Sequence, residues 1–373
     1  MISKPKYVVK IFLTEDDRHT SYIARGLLDL EKAGFICLNF KSMPGLFKNR
    51  IKLENELFDR TNKGYPWCPE LLITSTKQNI QKRIGIDLQD WDNLFSHHSF
   101  ENCLILYKRA LTKKQKLFFE KIKPNFIRAF GPNLYFEIKD KRYLKNIMIS
   151  KAKQSIVKAI SNPQKIPSKI KEIFLKLRFN NKINKKIIIV NKNALFSPLE
   201  KEYIFFQVQY YNWENDHSKV INDYRANIIR TLKNNFGEQF YGGMWFVNEV
   251  NESYRDCITN VDTNKETYKQ FYENASVVIS TNGFGNSVPW KLIEFLRDGL
   301  CIVTEENKHL FQEPLTDTEV TFFQNTENMI ESCKQLLNDK KLNKLKRQNA
   351  FKYYEKNLKP SVSMKKVIES VFS

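Results

Sequence analysis

The stretch that most constrains this 373-residue chain is 275–305, ASVVISTNGFGNSVPWKLIEFLRDGLCIVTE. Val277, Val278 and Ile279 form a β-branched run long enough for one buried strand. Residues 281–286 are turn chemistry, with Gly283 and Gly285 two apart. Ser287 suits a helix cap, and Pro289 suits a first turn, where its missing N–H costs nothing. Trp290, Ile293 and Leu296 then recur at helical spacing. Asp298 and Gly299 close the helix with the residue that best accepts a left-handed backbone. Residues 300–304 begin the next strand. Strand, glycine loop, helix, strand is the grammar of a parallel sheet in an α/β fold.

Such an arrangement puts backbone N–H groups and a helix N-terminus at the carboxyl end of a strand, which suits a phosphate. Gly283 and Gly285 let a ligand approach the backbone. Glu294 lies deeper in the helix, where a carboxylate can accept from two ribose hydroxyls. Lys291 faces the same crevice, as phosphate partner or as an i,i+3 pair with Glu294. The plain alternative is a glycine turn followed by an amphipathic helix with a surface glutamate.

The run Gly283, Ser287, Pro289, Trp290, Lys291, Glu294 and Gly299 resembles the donor-binding segment of GT-B glycosyltransferases. Within them it is similar to bacterial enzymes of surface polysaccharide (lipopolysaccharide or capsule) biosynthesis. The resemblance is specific over 272–305 and loose elsewhere. It implies two Rossmann-like domains facing each other across a cleft, with a C-terminal helix crossing back. It implies a nucleotide-sugar donor as substrate, without cofactor or metal, held by Gly283, Phe284, Gly285, Asn286, Ser287, Pro289, Lys291 and Glu294. Arg225, on a helix ahead of a Gly242-Gly243 strand, would meet the donor diphosphate; a surface ion pair is the ordinary role of such an arginine. Many retaining members carry two glutamates here. Glu294 matches the second, and Asn286 stands at the first, so the usual retaining pattern is incomplete.

The expected organisation is an acceptor domain over 1–140, a basic amphipathic connector over 141–186, a nucleotide-sugar domain over 187–358 and a crossing helix over 359–373. The opening reads as strand 7–14, helix 22–32 and strand 35–40, a βαβ start without G-x-G-x-x-G. The loop after a first strand lines the crevice of an α/β sheet, so Asp17 and His19 are candidate general bases. The bland reading is that Asp16, Asp17 and Thr20 cap the helix. Asp90-Trp91-Asp92 is a D-x-D, the metal signature of GT-A enzymes. No four-residue apolar strand is read directly before it, which favours a structural or acceptor-loop role and leaves Asp90 as a third candidate base. Adjacent His97 and His98 face different ways on any regular element, so no metal is assigned to them.

The net charge of +20 asks for an acidic partner, although lysine-rich coding bias inflates it. Residues 141–186 carry fourteen Lys or Arg against one acid, Glu172, with Ile, Leu and Phe interleaved. That composition suits an anionic membrane face or a connector packed between domains. No aromatic-basic nucleic-acid motif appears, so nucleic acid is not an expected partner. The six cysteines form no C-x-x-C pair, which fits a reducing compartment with neither disulfide frame nor zinc site. No apolar run reaches the roughly 18 residues of a membrane span. The expectation is a cytoplasmic glycosyltransferase, peripheral on the inner membrane face, acting on a growing glycan or lipid-linked acceptor. The alternatives are a basic nucleic-acid-binding protein and a non-catalytic partner in glycan assembly.

Overall fold

The structure, a computed structural model, describes residues 5–43, 50–54, 57–61, 67–160, 202–212, 216–246, 251–283 and 286–373. The chain divides into two compact units. One comprises 1–189, 308–312 and 357–373, the other 190–307 and 313–356.

In the first unit, β1 (Tyr7–Leu13) buries every second side chain. The chain then enters α1 (Asp17–Lys32), which starts where the Asp16 carboxylate accepts from the His19 N–H at 3.3 Å. Strand β2 (Ile36–Ser42) runs parallel to β1. The hairpin β3 (Arg50–Glu54) and β4 (Leu57–Thr61) makes a separate three-stranded sheet with β7 (Leu94–Ser96). The main sheet continues with β5 (Glu70–Ser75), β6 (Ile80–Asp87), β8 (Ile105–Lys108) and β9 (Ile127–Ala129), in the order β2-β1-β5-β6-β8-β9. Between these strands lie α2 (His97–Asn102) and α3 (Lys113–Ile122).

Strand β5 is antiparallel to both its neighbours, so this sheet is mixed rather than uniformly parallel. The cause is local. The turn 76–79 between β5 and β6 is too short for a crossover helix, and Asn79 closes it with φ 53°. Strands β1, β2, β6, β8 and β9 still share one direction, so the loops that follow them gather at one end. The end of β6, Ile84–Ile86, is buried and lies immediately before the D-x-D loop. It was hidden in the sequence by Lys82 and Arg83 before it and by Gly85 within it.

Helix α4 (Lys141–Ile160) packs Tyr143 and Ile147 against the β1–β2 edge, while Leu144 and Ile149 are exposed. Its apolar residues therefore do not form the single stripe expected of the connector. The rest of the connector, 161–186, lies outside the described residues.

In the second unit, β10 (Ile204–Gln209) leads through α5 (Asp216–Phe236) to β11 (Phe240–Trp245). Helix α6 (Lys265–Glu273) precedes β12 (Val277–Ser280). Helix α7 (Trp290–Arg297) then leads to β13 (Ile302–Glu305), and β14 (Thr321–Phe323) completes a sheet ordered β11-β10-β12-β13-β14. Every pairing in it is parallel. Helices α8 (Thr326–Asn338) and α9 (Lys340–Tyr353) follow. Helices α5 and α8 pack together on one face, and α7 and α9 pack together on the other. This is a doubly wound α/β unit.

The last helix, α10 (Pro360–Glu369), belongs to the first unit and lies along α1. Gly26 of α1 faces the Pro360 backbone so closely that no side chain would fit there. Arg128 donates to the Ser370 carbonyl at 3.1 Å and Lys82 to that of Val371 at 2.7 Å.

Candidate functional site

The second sheet has two chemically different faces. Toward α5 and α8 it is apolar along its length: Ile204, Phe206, Val208, Met244, Val277, Ile279 and Val303 pack on Ile228, Ile229, Met329 and Cys333. On the other face, Phe205, Val278 and Ile302 stand side by side in register, and Phe205 meets the Tyr268 ring of α6 at 5.7 Å. Two residues further along each strand, on this same face, come Gln207, Ser280 and Thr304. All three are buried and all are polar.

The strands open at the same level. Strand β10 pairs with β12 only at Ile204 and Phe205. Beyond that, β10 continues along β11 as far as Gln209, and β12 continues along β13 as far as Ser280. The chain order of the sheet also reverses between β10 and β12, with α5 leaving on one face and α7 on the other. A reversal of this kind leaves a crevice at the carboxyl ends of the strands, the usual ligand site of a doubly wound sheet.

Two cations close on the crevice from opposite faces. Lys291 of α7 donates to the Gln207 carbonyl and lies 5.3 Å from the Tyr268 ring. Arg225 of α5, itself buried, donates to the Gln209 carbonyl at 2.7 Å and lies over Tyr211. Burial, and then the charge of Arg225, pull the Lys291 ammonium down to about 7, with Glu294 acting weakly in the other direction. Burial also raises Glu294 above the usual carboxylate range, against the nearby Arg297. Among the described residues, Gln207 Oε1, Tyr268 Oη, Ser280 Oγ, Thr281 Oγ1 and Arg225 Nε are buried without a hydrogen-bond partner. Each such atom costs about 1–3 kcal/mol if nothing fills it. The crevice therefore suits an anionic ligand that also carries hydroxyl or carbonyl groups.

The loop before α7 differs in detail from its sequence reading. Ser287 does not cap the helix; Pro289 takes the cap position, with no side-chain bond there. The Ser287 carbonyl instead accepts from the Gly283 N–H at 2.8 Å. A Cβ on Gly283 would sit 2.9 Å from Ser287 Oγ, so this glycine serves the closure of the loop on itself. Asn286 adopts φ 59°, and Asn307 ties its carbonyl to the Asn282 side chain. Phe284 and Gly285 lie outside the described residues.

In the first unit the three candidate bases lie at the shared end of the sheet, Asp17 and His19 in the first turn of α1 and Asp90 in the loop after β6. Asp17 is ion-paired with Lys151 at 2.7 Å. His19 is held far down, at about 3, by burial and by Arg109, so its ring is neutral at any ordinary pH and a feeble base. Asp90 forms an ion pair with buried Arg109. Asp92, in the same D-x-D, pairs with Lys308 at 2.8 Å and approaches the His309 ring at 3.9 Å; both residues sit on the segment 308–312. The D-x-D carboxylates are thus engaged with cations. Beneath them the buried pair Asp87–Lys108, 3.1 Å apart, ties the ends of β6 and β8, and the Lys108 ammonium also donates to the Gln89 carbonyl at 3.4 Å.

Asp16 stands out beside these three. One oxygen caps α1, and the other is buried without a partner among the described residues. Burial lifts this carboxyl to about 6. Asp16, Gln207, Tyr268, Ser280 and Thr281 were not singled out as ligand-binding or catalytic from the sequence. A faint signal existed for some: a glutamine inside IFFQVQ, and a Ser-Thr pair ending VVIST.

No family model and no curated protein matches the chain. Solved structures do. One is the C-terminal domain of a group 1 family glycosyl transferase, LpcC, from Francisella tularensis, at 13% identity over 45% of this chain and 93% of that one, with a TM-score of 0.30. A second is S. aureus MnaA bound to UDP, at 10% identity, 74% and 62% coverage, and a TM-score of 0.32. A third is a mutant of S. aureus TarM bound to fondaparinux, α-GlcNAc-glycerol and UDP, at 12% identity, 84% and 66% coverage, and a TM-score of 0.35. This chain thus spans less than two thirds of the MnaA chain and about two thirds of the TarM chain. Likeness at this level carries no weight for what this chain does.

Proposed function

We propose that the protein is a glycosyltransferase that moves a sugar from a nucleotide-activated donor to a hydroxyl of a growing surface glycan or lipid-linked acceptor. The observation that carries this reading is the pair of cations, Arg225 and Lys291, set on alternate carbonyls of β10 where the central strands part. A nucleoside diphosphate leaving group develops negative charge as the glycosidic bond breaks. Arg225, Lys291 and the backbone N–H groups ahead of α7 would stabilise that charge without a metal. Glu294 would accept from the ribose hydroxyls. Gln207, Tyr268 and Ser280 would give their unfilled hydrogen-bonding capacity to the donor. The acceptor falls to the first unit, where Asp16 is better placed as base than Asp17, His19 or Asp90, because one oxygen is unengaged and its basicity is raised. The donor nucleotide and sugar, a surface-glycan or capsule context and an inner-membrane location belong to the same proposal.

Titration calorimetry with UDP, GDP, dTDP and CMP, followed by hydrolysis assays on the corresponding nucleotide sugars, tests it. One nucleotide should bind the wild type, and the Arg225→Met/Lys291→Met variant should lose that binding. A folded protein that binds none of the four would sink the proposal.

A further inference from the structure

Part of the charge of the lysine-rich connector is used within the fold. In α4, Arg142 is paired with Glu31 and Asp140, Lys151 with Asp17, and Lys153 donates to Ser42 Oγ at 2.9 Å. These cations are already used by the fold. Helix α3 is different. Its sequence KKQKLFFEKI buries Gln115 and Phe119 and sends Lys113, Lys114, Leu117 and Lys121 outward, with Lys116 beside them. The ammonium groups of the four lysines make no hydrogen bond or ion pair among the described residues. Glu120, the helix's acid, is turned to the Asn125 N–H at 3.0 Å. Leu117, at the centre of this lysine group, is 66% exposed, and Ile122 at the helix end is 45% exposed.

Among the described residues, nothing inside the fold accounts for that surface. Lys113 and Lys114 stand in the first turn, where the helix dipole disfavours positive charge. The N-terminus is held without them, by the reciprocal Thr112–Gln115 capping box. An exposed leucine ringed by free ammonium groups needs a partner that is anionic at its surface and apolar just beneath. A bilayer of acidic phospholipid has that profile, whereas a nucleic acid offers the charge without the apolar layer.

We infer that the outward face of α3 is a surface by which this protein meets an anionic membrane. Helix α3 packs on the β9 edge of the sheet and α4 on the β2 edge, so the two helices mark alternative contacts. The lysine stems would lie along the interface with their ammonium groups at the phosphates, and Leu117 would enter the acyl boundary. The inference borrows from the proposed function only the reason for an encounter with lipid.

Cosedimentation with phosphatidylglycerol-containing vesicles and with neutral phosphatidylcholine vesicles tests it on the full chain. The wild type should bind the anionic vesicles, and salt should weaken that binding. Changing Lys113, Lys114, Lys116 and Lys121 to Gln should reduce binding at least about tenfold. Leu117→Gln, which leaves the charge alone, should reduce it several-fold. Melting curves establish that each variant is folded, and nucleotide affinity, measured separately, should be the same in all of them. If the α3 variants bind like the wild type, the inference fails. It also fails if Leu117→Gln is neutral while the lysine variant loses vesicle and duplex DNA binding alike, which would mark a nucleic-acid surface.

Discussion

Lys291 and Glu294 illustrate how a single side chain acquires its chemistry from where it is put. On an exposed helix they would be an ordinary i,i+3 pair. Here Lys291 is partly buried near Arg225, and its ammonium is held near neutrality. An anion between the two cations would restore the proton, so binding should take up a proton above pH 7. Nucleotide affinity should accordingly fall as the pH rises from about 7, and Lys291→Met should flatten that dependence; calorimetry across pH reads both. For stability the sign is opposite. The unfolded lysine keeps its proton to its ordinary, higher pKa, so between about 7 and that value the unfolded state binds more protons and stability rises with pH. Glu294→Gln should weaken nucleotide binding by about 1–3 kcal/mol, the worth of hydrogen bonds to a charged group. Unchanged affinity in a folded Glu294→Gln protein would remove the ribose assignment.

At the scale of elements, the ends of strands do most of the positioning. Asp87 and Lys108 are paired in register at the ends of β6 and β8, both fully buried. The loop built on them carries Asp90 and Arg109: Gln89 N–H donates to Asp87 at 3.1 Å, and the Arg109 N–H donates to the Asp87 carbonyl at 2.8 Å. Lys108→Met leaves a buried carboxylate without its cation and should cost about 3–5 kcal/mol in urea unfolding. Adding Asp87→Leu should recover most of that loss, because the buried charge itself is then gone. If the single variant is as stable as the wild type, the pair does not hold these strand ends.

At the scale of the molecule, the separation into two units matters more than the net charge. The segment 308–312 belongs to the first unit although the chain on either side of it belongs to the second. It carries Lys308 and His309 to Asp92, and the Leu310 N–H donates to the Leu111 carbonyl at 2.7 Å. With the D-x-D carboxylates tied to cations and the donor phosphates assigned to Arg225 and Lys291, turnover should survive EDTA. Loss of activity in EDTA, restored by manganese, would reassign Asp90 and Asp92 as metal ligands.

The stretch 277–305 was legible from sequence because its signals are local. β-Branched residues, a glycine turn, helical spacing and a terminal Gly each act over a few neighbours, and β12, α7 and β13 formed where they pointed. Lys291 and Glu294 were found the same way, by their distance from that loop. The rest depended on which strands become neighbours. Gln207 is one polar residue in an apolar strand until register sets it on the same face as Ser280. Arg225 is a helix arginine until α5 packs beside the end of β10. The direction of β5 and the visit of 308–312 to the first unit are likewise outcomes of pairing between distant segments. Local pattern determines which elements form and which residues they expose; strand order and register, set by burial across the whole chain, decide which of those residues meet.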